Sequence, residues 1–182
     1  MRIGIDISQV VYEGTGVGRY VREMVLAITR IAPEHEYVLF GGVLRRKKDL
    51  EMFIEEVKKS GAAIRSVIVP FPPKALSFLW NTLNIVPITW FTGAIDVFWS
   101  SDWTQPPLGK VIGITTIHDV SFLRFPESFP NGIVSVQKKR LGRAVKTNLL
   151  FLCDSEATKQ DAVSYLHIPK SKLQVIYPGF TA

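Results

Sequence analysis

The sequence has one cysteine, Cys153, in 182 residues, so neither a disulfide framework nor a CxxC metal pair can be built. Flanked by Leu152 and Asp154 at the end of an apolar run, Cys153 reads as a packed thiol. Histidine is almost as scarce. None of the three lies at metal-ligand spacing from another histidine or from the cysteine, so no metal is expected. His35, in the polar turn Pro33-Glu34-His35-Glu36, and His167, just before Ile168-Pro169, read as surface residues. No stretch approaches the roughly 18 uninterrupted apolar residues that a bilayer crossing needs. The opening Met1-Arg2-Ile3-Gly4-Ile5-Asp6 lacks a cleavable signal pattern, so a cytoplasmic location is expected. There is no G-x-S-x-G elbow, internal repeat or low-complexity linker. No RNA-binding motif or zinc finger accompanies the basic residues, so nucleic acid is not an expected partner.

The composition, 47% hydrophobic and 21% charged, is that of an ordinary globular chain with room for one sizeable core. A formal charge of +6 is concentrated at Arg45-Arg46-Lys47-Lys48 and at Lys138-Lys139-Arg140 with Arg143 and Lys146. A solvated helix face is the expected form of both clusters; attraction for phosphate esters or anionic lipid is the alternative. Short apolar runs alternate with amphipathic stretches along the chain. Strands are expected over 2–7, 37–40, 64–69, 96–99, 111–117, 148–153 and 173–176, and helices over 17–31, 48–60, 75–91, 132–146 and 155–166. Several strand runs are continuously apolar, as strands buried on both faces are, and helices separate them. The expected fold is α/β, a doubly wound parallel sheet.

Two positions could carry chemistry. The first is the loop Ser8-Gln9-Val10-Val11-Tyr12-Glu13-Gly14-Thr15-Gly16-Val17-Gly18-Arg19-Tyr20, which joins the first strand to the first helix. In open α/β folds such a loop borders the ligand crevice. Its glycines at a helix N-terminus could cradle a phosphate, or form only a flexible helix start. A dinucleotide site fits badly: the pattern from Gly14 is G-x-G-x-G, with Arg19 where the third glycine belongs, and no ribose-binding acid follows the second strand. The second position is Thr115-Thr116-Ile117-His118-Asp119-Val120-Ser121-Phe122-Leu123-Arg124-Phe125-Pro126-Glu127, where His118 follows an apolar strand at the same carboxyl edge. An imidazole there can exchange a proton near neutral pH, with a neighbouring carboxylate biasing its tautomer. The aromatic stretch 75–91, interrupted by Asn81, Asn84 and Pro87, reads as a core helix, with a membrane-interfacial segment as the functional alternative.

G-T-G-V-G-R-Y after the first strand, T-T-I-H-D-V-S-F-L-R-F-P-E after a later one, and C-D-S-E-A-T-K-Q-D-A before I-P-K-S-K-L-Q-V-I-Y-P-G-F occur in an order and spacing that resemble a known family. It is the N-terminal half of the retaining GT-B glycosyltransferases, which include bacterial mannosyltransferases and sucrose synthases. The likeness covers essentially the whole chain. It implies a Rossmann-like domain on the acceptor side of a two-domain enzyme that transfers a hexosyl unit, mannosyl or glucosyl, from a nucleotide diphosphate sugar to an acceptor hydroxyl without a resident cofactor. By the same resemblance His118 would contact the transferred sugar, and Gly16, Val17 and Gly18 would lie beside the donor diphosphate. Asp119, Ser121 and Arg124, with Trp103, Thr104 and Gln105, would face a glycan or lipid-linked acceptor.

The E-x7-E signature of the donor-binding half has no counterpart, since no two glutamates here are eight positions apart. Residues 1–182 are thus expected to form one acceptor-side domain without the nucleotide-sugar domain. Ile176-Tyr177-Pro178-Gly179-Phe180 stands where the family more often has a P-N-G hinge turn. The remaining expectations are peripheral membrane contact, self-association through an exposed domain interface and, from another functional class, a stand-alone carbohydrate- or lipid-binding module without catalysis.

Overall fold

The computed structural model describes residues 1–179, so Phe180 of the expected hinge turn lies outside the described residues. Seven parallel strands form one sheet: β1 (Arg2–Asp6), β2 (Glu36–Gly42), β3 (Ala63–Val69), β4 (Val97–Ser100), β5 (Ile112–Ile117), β6 (Asn148–Cys153) and β7 (Leu173–Val175), in the order β3-β2-β1-β4-β5-β6-β7. The doubly wound sheet read from the sequence is the fold observed, an α/β Rossmann-like architecture. Alternation along β2 shows why the strands are apolar throughout. Tyr37 and Leu39 enter one core cluster and Val38 and Phe40 another, so both faces are covered.

The longer helices follow from local chemistry. At the start of α1 (Gly16–Ile31), the Thr15 side chain accepts from the Gly18 amide at 3.1 Å. Its buried stripe of Val21, Val25 and Leu26 then packs on the sheet. α2 (Lys47–Lys58) buries Leu50, Phe53, Ile54 and Val57 against the same cluster. Ser155 caps α7 (Glu156–Leu166) by accepting from the Thr158 amide at 3.1 Å. The left-handed His167 ends it, with Pro169 following. Between them lie the four-residue α5 (Ser121–Arg124) and the longer α6 (Asn131–Thr147).

The expected single helix over 75–91 is a correction. The chain instead forms α3 (Pro73–Ser77), a π-helical turn over Phe78–Leu83 and α4 (Thr89–Thr92). Asn84 and Val86 both take positive φ, at 55° and 63°, a backbone region costly for a β-branched valine. The break is held by Trp80, fully buried, whose indole Nε1 donates to the Val86 carbonyl at 2.9 Å. Burying that side chain is worth about 3 kcal/mol, enough to offset the local strain. The core part of the expectation holds for Leu76 and Trp80, which face the sheet with Phe40 and Phe98.

Candidate active site at the switch point of the sheet

Strand order reverses direction between β1 and β4, and in open α/β sheets the crevice outside the carboxyl ends at such a point takes ligands. A crevice of about 890 Å³ lies there. The loop after β1 contributes Tyr12 and the start of α1 contributes Val17; Phe78 comes from the π turn, Asp102 and Trp103 from the loop after β4, and Lys139 from α6.

Buried polar contacts fix the two loops to one another. Asp6, 3% exposed at the end of β1, accepts from the Ser8 amide at 2.9 Å and the Ser8 hydroxyl at 2.5 Å, while its other oxygen accepts from Thr104 Oγ1 at 3.3 Å. Burial pushes its carboxyl above the usual carboxylate range, against the pull of the hydrogen bonds from Ser8, Ser101 and Thr104. Asn81 spans from the π turn. Its amide donates to the Trp103 carbonyl at 2.8 Å and its carbonyl accepts from the Gln105 amide at 2.9 Å. Gln105 is enclosed between Ser100 and Asn148, at 2.7 and 2.9 Å. Thr104 and Gln105 therefore hold the loop from inside, and Trp103 is the member of that predicted trio that lines the crevice.

Below the loop sits Arg140, which corrects the expectation of a wholly solvated basic cluster on α6. Its side chain is 1% exposed and lies 3.5 Å from the Asp102 carboxylate. Its guanidinium donates to the carbonyls of Ser101 and Thr116 at 3.2 and 3.1 Å and to Thr115 Oγ1 at 2.5 Å. Position 140 falls on the buried side of the helix with Val134, Gln137, Leu141 and Ala144. Burial raises the Asp102 carboxyl and Arg140 pulls it back down. Burial likewise lowers Arg140, which remains charged because a guanidinium starts so high.

His118 directly follows β5 on the same sheet edge, outside the lining of the crevice but near enough to Asp102 to act on it electrostatically. Its Nδ1 lies 2.6 Å from Asp154 Oδ2. An ionised carboxylate only accepts, so in this pair Nδ1 carries the proton and Nε2 is the acceptor nitrogen of the ring. Tyr20 stands edge-on to the ring with centroids 4.9 Å apart, and Thr158 Oγ1 donates to the His118 carbonyl at 3.2 Å. The carboxylate partner is thus not the adjacent Asp119, whose Oδ1 accepts from the Ser121 amide at 2.8 Å and starts α5. Arg124 is exposed, its guanidinium 5.1 Å from the centre of the Phe125 ring.

The three glycine-loop residues are not equivalent. A Cβ on Gly18 would come within 2.8 Å of the carbonyl oxygens of Gln9 and Tyr12, so that glycine lets the β1 loop lie against α1. A Cβ on Gly16 would meet nothing within 4 Å. The amides of Gly16 and Val17, in the first turn, have no intrahelical acceptor. Among the described residues no three His, Cys, Asp or Glu side chains gather into a set that could hold a metal ion. Cys153 is a buried thiol, pushed up to about 11 by burial first and then by the Asp154 charge.

Sequence reading singled out His118 and the glycine loop but missed Asp6, Asn81, Asp102, Arg140 and Asp154 as parts of this site. Ser155 caps α7, and Asp154 pairs with His118 instead. The available signal was polarity at the ends of apolar strands, which Asp6 and Asp154 share with His118.

A comparison with curated proteins gives no match. Among solved structures, a short-chain dehydrogenase from Oenococcus oeni PSU-1 is similar at 12% identity and a TM-score of 0.38, over 99% of this chain and 80% of that one. Leucoanthocyanidin reductase bound to NADPH, from Vitis vinifera, is similar at 13% identity and a TM-score of 0.30, over 84% of this chain and 35% of that one. Likeness at that level carries no argument about function. The sequence profile of Glycosyltransferase Family 4 matches residues 14–181, a span that includes Gly16, Val17, Gly18, His118 and Asp154, and the chain belongs to that family as a GT-B glycosyltransferase-type domain.

Proposed function

We propose that the chain is the acceptor-side half of a nucleotide-sugar-dependent hexosyltransferase acting with retention, mannosyl or glucosyl, in the cytoplasm. The observation that carries the reading is the His118–Asp154 pair at the carboxyl edge of β5, beside a crevice bordered by the N-terminus of α1. Asp154 holds the Nδ1–H tautomer, so Nε2 can accept a hydrogen bond from a sugar hydroxyl and orient the transferred residue. The first-turn amides of Gly16 and Val17, with the positive end of the α1 dipole, stabilise negative charge growing on the departing diphosphate. Trp103 offers an aromatic wall to the acceptor, with Asp119, Ser121 and Arg124 on the neighbouring loop. The resemblance puts most of the nucleotide sugar on a second domain, and self-association through the same face is part of the reading; concentration-independent monomer in sedimentation would count against that last element.

The test supplies the chain with a matching nucleotide-sugar-binding domain and measures transfer from GDP-mannose and UDP-glucose, with NMR of the anomeric centre reporting stereochemistry. His118→Ala is expected to lower kcat by about a hundredfold or more, and Asp154→Ala by up to about a hundredfold through a misplaced ring. Unchanged turnover in His118→Ala would sink the proposal. The size of the crevice also supports a second reading, a carbohydrate- or lipid-binding module. Saturable glycan binding that survives His118→Ala, with no transfer under any donor, would select it.

A further inference from the structure

The surface beside the crevice has an unusual distribution of charge. No aspartate or glutamate occurs between residues 57 and 95, or between 128 and 153. These stretches supply α3, the π turn and α6, which pack together. Lys139 Nζ reaches Thr82 Oγ1 at 3.4 Å and the Arg143 guanidinium donates to the Thr82 carbonyl at 3.1 Å. Lys139, Arg143 and Lys146 fall at i, i+4 and i+7 along one side of α6, and Lys74 lines the same crevice as Lys139. The π turn and the break after it add apolar side chains that the fold leaves outside. Phe78 is 57% exposed, Leu83 47% and Ile85 48%.

We infer that this surface docks on an anionic phospholipid bilayer. Cations and apolar side chains drawn from stretches that carry no acidic residue match the two parts of such a membrane. Lysine and arginine are drawn to acidic headgroups, with their alkyl stems lying along apolar surface, while Phe78, Leu83 and Ile85 enter the headgroup–acyl boundary. The second basic cluster lacks this character. On α2, Arg46 is paired with Asp49, and Lys47 lies 3.2 Å from Glu51. The crevice opens at the rim of the proposed docking patch, since Phe78, Lys74 and Lys139 belong to both. An acceptor carried by a membrane lipid would thus be presented directly to it. The docking itself does not depend on the transferase reading, and only that last consequence rests on it.

The experiment is vesicle flotation of the full 182-residue chain. It compares phosphatidylcholine alone with phosphatidylcholine containing about one-third phosphatidylglycerol, at low and raised salt. Binding to the anionic vesicles, weakened by salt, is expected. The double variant Lys139→Glu/Lys146→Glu should lose about tenfold or more of that binding, whereas Lys47→Glu/Lys48→Glu on α2 should stay within about twofold of the wild type. Leu83→Asp, at an exposed position outside the crevice lining, should also lose it, with circular dichroism establishing that each variant is folded. Equal partition onto neutral and anionic vesicles overturns the inference. So does equal loss from reversing either cluster, or full retention by Leu83→Asp. Capture of an acidic protein by the patch without vesicle binding would overturn it in favour of a protein partner.

Discussion

The chain carries two basic clusters that look alike in sequence, Arg45–Lys48 and Lys138–Lys146, and they differ in what burial does to them. At the first, Arg46 meets Asp49 and Glu13 on a solvated surface, where ion pairs contribute little. At the second, Lys139 stays outside while the adjacent Arg140 turns inward and ties the loop after β4 and the strand β5 to α6. The same parting separates Gly16, with open space around it, from Gly18, pressed against two carbonyls. Residue type therefore did not decide role at either pair. The phase of each residue on its helix did.

Four substitutions sharpen or break this contrast. Arg140→Ala leaves the half-buried Asp102 without its counter-ion and the Ser101 and Thr116 carbonyls without their donor, and should cost about 3 kcal/mol of stability in chemical denaturation; a loss under about 1 kcal/mol would show that the pair is not built in. Gly18→Ala should cost about 1–3 kcal/mol by overpacking the β1 loop, and a thermal melt identical to that of Gly16→Ala would remove the distinction drawn between the two glycines. Arg46→Ala on the α2 cluster should change stability by less than about 1 kcal/mol, and a larger loss would place Arg46 with Arg140 rather than opposite it.

The fourth concerns pH and has the smallest expected effect. Burial raises the folded-state pKa of Asp6 above its unfolded value, so the folded chain holds this proton more tightly. The stability linked to that proton is present below the unfolded pKa and is lost as pH rises through the folded pKa. Asp6→Asn should remove this loss, leaving a flatter dependence on the alkaline side of the unfolded carboxylate value when urea midpoints are compared across pH. Parallel pH profiles for the two proteins would mean that Asp6 is solvated, and that the buried link between the β1 and β4 loops is not what joins them.

Much of the fold was legible because its signals are local. Continuous apolar runs such as that over 149–153, Ser155 before α7 and Pro169 after it each fix an element without reference to the rest of the chain. The stretch from 75 to 91 was misread because its break is maintained from outside the helical period, by the buried Trp80 bonding to Val86. The site was legible in part for the same reason. His118 could be located from its strand, but the carboxylate that holds it is 36 positions away in sequence and only 2.6 Å away in space. The nearer Asp119 was the natural choice until its bond to Ser121 was seen.

By itself, then, the sequence determined the alternation of strands and helices, the capped start of α7, and the position of two loops at the carboxyl edge of the sheet, because each depends on periodicity and on hydrogen bonds between near neighbours. Tertiary structure alone decided which cations are buried, which glycine is indispensable and which carboxylate faces His118. Those outcomes depend on strand order and helix phase, which bring distant residues into hydrogen-bonding range and withdraw water from them.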